Sequence, residues 1–512
     1  MILVLNFGGQ TCNLIARRIR DMNVYSEILP CDVSVDEIKK LNPFGIILSG
    51  GPASVYEQNA PTMDKKILEL GIPILGICYG LQLIGKFAGG EVSGGKLKEF
   101  GKKELKVRKS GKLLKGLSKK EQVWMSHGDL IAKLPRDFGI LASTDTCKIA
   151  AFENNDKKLY GIQFHAEVAH TPKGSQILKN FVFGICKAKK DWRIKDISKR
   201  LINEIRQEVG KNSVIMGVSG GIDSSVAAAL LHKAIGSRLY CVFVEHGLLR
   251  SNEADEVKNF FQNALKFKHF YFVDASNVFL EKLKGITEPE EKRRVIGHTF
   301  IEVFENKVIE LEKKRPEIRF LGQGTIYPDR VESAQPSKYA SKIKSHHNIT
   351  LPEKMRLKVI EPLKEFYKDE VRKLGKKLKI PDEILHRHPF PGPGLAIRIL
   401  GEVTEERLRI VREADFIFIE ELKKSELYNK VWQAFAALLP VKAVGVMGDA
   451  RTYEYIIALR AVTSIDAMTA DWAKLPNELL ERISNRIINE VRGVNRVVYD
   501  ISQKPPATIE YE

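Results

Sequence analysis

A chain of 512 residues is longer than one hydrophobic core supports, so two to four domains are expected. Hydrophobic residues at 44% and charged residues at 29% are ordinary for a soluble globular protein, and no apolar run is long enough to cross a bilayer. The net charge of +18 comes from lysines spread among acidic residues, with no basic block interleaved with aromatics. It reads as a solvated surface and decides no function alone.

Residues 1–6 lack a basic region ahead of their apolar run and read as a first strand, not a signal peptide. Six scattered cysteines without a CxxC pair fit free thiols in a reducing, cytoplasmic setting. Up to about residue 188 the chain alternates buried strands and helices as a parallel sheet does, with apolar runs at 2–5, 45–48 and 73–77. Ligands of such sheets bind beyond the carboxyl ends of the strands. A basic stretch at 187–190 leads to an amphipathic helix over 194–209.

A second block begins with the strand 214–218, followed by strands at 239–244, 270–273, 320–321 and 357–360 and a helix over 367–378. Residues 335–354 are polar and read as a mobile loop or lid. The Pro/Gly run 388–394 excludes regular structure. Beyond it a helix over 405–424, strands at 431–438, 443–446 and 453–462, a helix over 477–491 and strands at 497–501 and 508–511 form a small α+β domain. The expected architecture is therefore two consecutive parallel-sheet α/β domains (1–190 and 191–387) followed by a small α+β C-terminal domain (388–512).

Two runs carry the chemistry. In Gly76-Ile77-Cys78-Tyr79-Gly80 a thiol stands on a turn between an apolar strand and a helix. The flanking glycines permit a sharp bend. A helix N-terminus favours the thiolate form of a thiol placed there, and its N–H groups can hold an oxyanion. His165 ends another strand, and Glu167, two residues on, shares its face and can orient the imidazole. Gly50-Gly51 ends a neighbouring strand and offers further N–H donors. Taken singly, Cys78 is better explained as a buried thiol and His165 as a strand-end histidine; together they favour nucleophile and base.

These residues, with Leu81-Gln82-Leu83 and Phe164-His165-Ala166-Glu167, resemble the class I glutamine amidotransferases. The resemblance implies Cys78 as nucleophile, His165 as general base and acid, and Glu167 as its orienter. It also implies Gly51 and Tyr79 as oxyanion donors and Gln82 beside bound glutamine. The family usually has proline where this chain has Ala166.

The second run, Ser219-Gly220-Gly221-Ile222-Asp223-Ser224-Ser225, lies between a buried strand and a strong helix. Its glycines and hydroxyls suit an anion at a helix start. The chain has no Gly-Lys-Ser/Thr and no GxGxxG, which excludes a Walker A loop and disfavours a dinucleotide site. The string resembles the signature of ATP pyrophosphatases, which cleave ATP between its α- and β-phosphates. The resemblance implies that this loop binds ATP, that Asp223 holds Mg²⁺, and that Val244 lies near adenine.

Gln323-Gly324-Thr325-Ile326-Tyr327-Pro328-Asp329, Lys344-Ser345-His346-His347-Asn348, the 388–394 run, Gly445-Val446-Met447-Gly448-Asp449 and the stretch 504–510 resemble the GMP synthetase family throughout. That resemblance implies XMP, ATP and glutamine as substrates and XMP contacts from Arg293, Asp449, Lys504 and Glu510. It also implies a homodimer formed through the last domain, with no nucleic-acid or membrane partner. Two departures are Glu245-His246, where the family has Asp-Asn, and residues 348–352, which lack a glycine pair. The rival readings are another amidotransferase–pyrophosphatase pairing, NAD synthetase-like, and a nucleic-acid-binding protein motivated by the charge.

Overall fold

The computed structural model describes residues 1–333, 357–464 and 469–512. The expected lid over 335–354 and the residues 344–352 lie outside that description. Contacts divide the chain into two units.

The first unit is Met1–Ile197 with the segment that starts at Tyr327. Among the described residues its sheet has nine strands: β1 (Ile2–Asn6), β2 (Ser26–Pro30), β3 (Gly45–Leu48), β4 (Ile74–Ile77), β5 (Glu91–Val107), β6 (Lys120–Lys133), β7 (Gly139–Ser143), β8 (Ala151–Asn154) and β9 (Leu159–Ile162). Their order is β2-β1-β3-β4-β9-β8-β7-β5-β6. From β2 to β9 the pairs are parallel, as their continuous apolar runs predict. Ile46, Ile47 and Leu48 are fully buried, each contributing about 2 kcal/mol.

From β9 to β6 the sheet is antiparallel, an extension that the sequence reading of a parallel sheet did not include. The cause is legible in hindsight: charged residues punctuate β5, and a sheet with one solvated face tolerates that only when antiparallel. The helix Tyr327–Ser333 belongs to this unit. Its Tyr327 hydroxyl accepts the Ile28 N–H at 2.5 Å, and Arg330 pairs with Glu27 at 2.7 Å.

The second unit comprises Ser198–Ile326 and the C-terminal part of the chain. A five-stranded parallel sheet holds β10 (Ser213–Gly217), β11 (Leu239–Glu245), β12 (His269–Asp274), β13 (Ile318–Gly322) and β14 (Lys358–Ile360) in the order β12-β11-β10-β13-β14. The chain winds from β10 outward to β12, then crosses to β13 on the other side of β10. Such a reversal opens a crevice at the carboxyl ends of β10 and β13.

The remaining sheet is built from β15 (Gln433–Met447), β16 (Ala450–Thr463), β17 (Asp471–Trp472) and β18 (Val494–Tyr499). The two strands expected at 431–438 and 443–446 are one, with a register shift between Leu439 and Lys442. The helix Glu405–Lys424 starts where the Thr404 hydroxyl accepts the Arg407 N–H and where Glu405 and Glu406 meet the positive helix end; Lys423 and Lys424 close it. Leu408, Val411 and Phe418 bury against Ala434 and Leu438 in the same core as Ile215 and Leu321.

The expected strand at 508–511 does not form. The buried Arg460 guanidinium instead takes the carbonyls of Ser502, Thr508 and Ile509 and pairs with Asp500 at 2.7 Å. Those carbonyls are satisfied without a ladder. Replacing Arg460 by Met should therefore cost on the order of 3 kcal/mol and expose residues 502–512 to proteolysis. An unchanged melting temperature with an intact C-terminus would contradict this role.

Candidate active sites

Cys78 leaves β4 with φ 52° and ψ −104°, a left-handed conformation rare for a non-glycine residue, and caps the helix Tyr79–Phe87. Crowding explains why both neighbours are glycine. A Cβ on Gly76 would stand 2.4 Å from Gly80 C, and one on Gly80 would stand 2.5 Å from Leu48 O. The thiol is thus presented at a helix start, where the first N–H groups point out of the helix.

β3 and β9 end beside it. A Cβ on Gly50 would lie 3.2 Å from His165 Cε1 and 3.8 Å from Cys78 Cβ, so the 50–51 turn lines the thiol. Gly51 packs so close to the Phe7 carbonyl that no side chain fits. His165 Nδ1 meets Glu167 Oε1 at 2.7 Å, and the Cys78 sulfur is near enough to favour the charged imidazole. Burial opposes a charged imidazole here, yet the Glu167 carboxylate and the Cys78 sulfur outweigh it and push His165 up to about 10. Ala166 leaves this geometry intact: its carbonyl sits 1.9 Å from where a Gly174 Cβ would be, so packing by the helix Gly174–Lys179 fixes the turn.

Gln82 is buried four residues after Cys78, and its Nε2 donates to Asp129 O at 2.8 Å and Gln163 Oε1 at 3.3 Å. It frames the site with an amide already committed to the protein. Gln163 Nε2 in turn donates to Cys78 Sγ at 3.7 Å. Sequence reasoning missed Gln163, although it lies only two residues before His165.

At the second site Ser219, Gly220 and Gly221 lead from β10 into the helix Ile222–Ile235, with Gly220 at φ 74°. The loop is tied by its own hydroxyls: Ser224 Oγ accepts the Ser219 N–H at 3.2 Å, and Ser219 Oγ accepts the Gly221 N–H at 3.3 Å. Gly324, just past β13, approaches so closely that its Cβ would lie 3.1 Å from Ser224 N. The crevice between β10 and β13 is therefore walled by backbone.

Asp223 Oδ2 accepts from Lys368 Nζ at 2.5 Å. Its Oδ1 is buried without a hydrogen-bond partner among the described residues, as is Ser225 Oγ. An orphaned carboxylate oxygen at an anion cradle suits a divalent cation. Lys368 carries no motif, and the sequence reading missed it. Val244 is buried near the carboxyl end of β11. Beyond it His246 Nδ1 accepts the Leu248 N–H at 3.1 Å, and burial, the dominant effect, holds that imidazole down at about 4.

The four expected XMP contacts do not form one cluster in this chain. Arg293 donates to the Glu512 carbonyl at 2.5 Å, and Glu510 receives Arg398 at 3.1 and 3.2 Å and Gln433 at 2.6 Å. Lys504 pairs its backbone with Ala470. Asp449 is exposed at the tip between β15 and β16 with φ 63°. Gln433, beside Glu510, is at the other end of β15, roughly 45 Å away along a straight strand.

Comparison with known proteins bears on both sites. The family model for glutamine amidotransferase class-I matches residues 3–185, that for NAD synthase residues 194–295, and that for the GMP synthase C terminal domain residues 420–511. The glutamine-hydrolyzing GMP synthase of Aquifex aeolicus (strain VF5) is 57% identical over 513 residues, covering 100% of this chain and 99% of that relative. Those of Carboxydothermus hydrogenoformans and Brachyspira hyodysenteriae are 56% and 53% identical over 512 residues, each with the same coverage.

The first site yields a direct test. Glu167→Gln keeps an acceptor for the His165 ring but removes its charge, so the imidazole midpoint should fall by about one to three pH units in an NMR titration. An unmoved midpoint would show that Glu167 is not what holds the proton.

Proposed function

The chain belongs to the glutamine-hydrolysing GMP synthases, and on that premise we propose how its own residues carry out the conversion of XMP, ATP, glutamine and water to GMP, AMP, pyrophosphate and glutamate. The observation that carries the reading is the presence in one chain of a thiol elbow backed by His165–Glu167 and of a backbone-lined anion cradle at the β10/β13 crevice.

In this reading Cys78 Sγ attacks the side-chain amide carbon of glutamine, and the N–H groups of Gly51 and Tyr79 hold the oxyanion. Protonated His165 gives its proton to the departing ammonia, leaving a thioester. Water then attacks with His165 taking a proton, and glutamate leaves. At the second site the C2 oxygen of XMP attacks the α-phosphorus of ATP, and pyrophosphate leaves into the cradle of Ser219, Gly220, Gly221 and Ser224. Lys368 offsets part of its charge. Asp223 is the residue that would hold Mg²⁺, which neutralises pyrophosphate when bound. Ammonia attacks C2, and AMP departs with the oxygen. Ammonia must pass without equilibrating with bulk water, where it is mostly ammonium and not nucleophilic.

We assign Val244 to the adenine side and Arg293, Lys504 and Glu510 to XMP. Arg and Lys suit its phosphate, and a carboxylate suits ribose or base donors. We take the domain bounds as 1–190, 191–387 and 388–512, within each of which one of the matched spans 3–185, 194–295 and 420–511 falls. A cytoplasmic homodimer is the assembly we favour. Val441, Val444, Val446 and Tyr453 expose apolar side chains along the β15–β16 hairpin, with Val444 directly opposite Tyr453. A patch of this kind marks an interaction surface. Asp449, at that hairpin's tip, then serves a second copy's site.

Cys78→Ala should lower glutamine-driven GMP formation by at least roughly 10³-fold and leave the rate with added ammonium salt unchanged. Retained glutamine use would remove Cys78 as nucleophile. Asp223→Asn should depress both routes, with AMP and pyrophosphate still formed in equal amounts at the slower rate. An unaffected rate would overturn its assignment.

A further inference from the structure

Behind the thiol elbow, β5 and β6 lose their regular ladder. Glu99 opposes His127 and Gly94 opposes Asp129, so the register shifts where residues 126–129 pass the sulfur. The Ser126 carbonyl stands 3.6 Å from Cys78 Sγ. Where a ladder is interrupted, side chains must fix the strand.

Glu99 and His127 are both buried, at 1% and 6% exposure. His127 Nε2 meets Glu99 Oε2 at 3.0 Å, and its Nδ1 meets Asp129 O at 2.8 Å. Glu99 Oε1 accepts from Thr144 Oγ1 at 2.8 Å and from Thr146 Oγ1. Burial works to raise the Glu99 carboxyl, but hydrogen bonds from His127, Thr146 and Thr144 prevail and hold it at about 2. The Cys147 sulfur is nearby, its ligating atom within 4.8 Å of theirs. Since both Glu99 oxygens and both His127 nitrogens already have protein partners, the trio is a polar network and not a metal cage.

Asp129 O is shared: it also accepts from Gln82 Nε2, and Gln82 leads through Gln163 to Cys78 Sγ. A continuous chain of contacts thus joins a buried carboxylate to the reacting sulfur. Apolar residues would fill the same volume without the desolvation cost of a buried carboxylate. The network's distinct contribution is to fix position.

We propose that Glu99 and His127 are positioning residues for glutamine hydrolysis, holding residues 126–129 and the Gln82 amide at the spacing from Cys78 that an amino-acid substrate requires. The proposal rests on Cys78 being the nucleophile, and its test separates the two. In the full chain, Glu99→Gln should raise the glutamine KM about tenfold, the size of one weakened hydrogen bond to a charged group, with kcat within about threefold of wild type. Labelling of Cys78 by the glutamine-shaped alkylating agent 6-diazo-5-oxo-L-norleucine should slow by a similar factor. Alkylation of Cys78 by iodoacetamide, which needs no amino-acid recognition, should be unchanged, as should GMP formation with ammonium. Thr146→Val removes one donor to Glu99 at constant volume and should give the same pattern at about threefold, should Glu99→Gln fail to fold. An unchanged KM in the variants, or equal slowing of both labelling reactions, would overturn the positioning role. Absence of iodoacetamide labelling at Cys78 in wild type would instead undercut the nucleophile.

Discussion

A single residue held in left-handed backbone conformation organises the amidotransferase half of this enzyme. Cys78 at φ 52° is costly, on the order of 1–3 kcal/mol for a side-chain-bearing residue. It persists because Gly76, Gly80 and the Leu48 carbonyl are packed too tightly for the turn to relax. The bend aims the thiol out of the sheet, next to the tips of β3 and β9 and onto the open end of a helix. Remove that constraint and the His165–Glu167 pair, however well formed, has no sulfur to serve.

The same device recurs in the second unit with different chemistry. There too an apolar strand, a glycine turn and a helix start present backbone N–H groups at the carboxyl end of an interior strand, but hydroxyls and a carboxylate replace the thiol. The crossover from β12 to β13 explains why the cradle is after β10 and why Gly324 closes in on it. Lys368 supplies a cation beside Asp223, from a helix far along the chain. Both sites use rigid strand ends for placement. The chemistry differs only in the side chains set among the glycines.

Much of this was legible in the sequence, and the failures have physical causes. Glycines flanking Cys78, the 219–225 string and the spacing of His165 and Glu167 are local, so residue type and order suffice. The helices Ile194–Val209 and Glu405–Lys424 matched their expected bounds because amphipathic periodicity and, for the second, capping signals agreed. The antiparallel half of the first sheet was missed because alternating charge in β5 hides the apolar signal and because β5 pairs with β7 as well as with its sequence neighbour β6. The strand expected at 508–511 lost its ladder to Arg460, a partner about fifty residues away that local alternation cannot reveal. Lys368, Gln163 and the Glu99–His127 pair were invisible for the same reason: lone polar residues acquire meaning only through distant neighbours.

The central claim is that nitrogen freed at Cys78 is consumed at the cradle of the same molecule. Isotope tracing tests it most directly. With amide-¹⁵N glutamine, XMP, ATP and an excess of unlabelled ammonium near neutral pH, the exocyclic amine of the GMP formed should retain nearly all of the ¹⁵N. Dilution of the label to the ratio of the bulk ammonium pool would contradict the account.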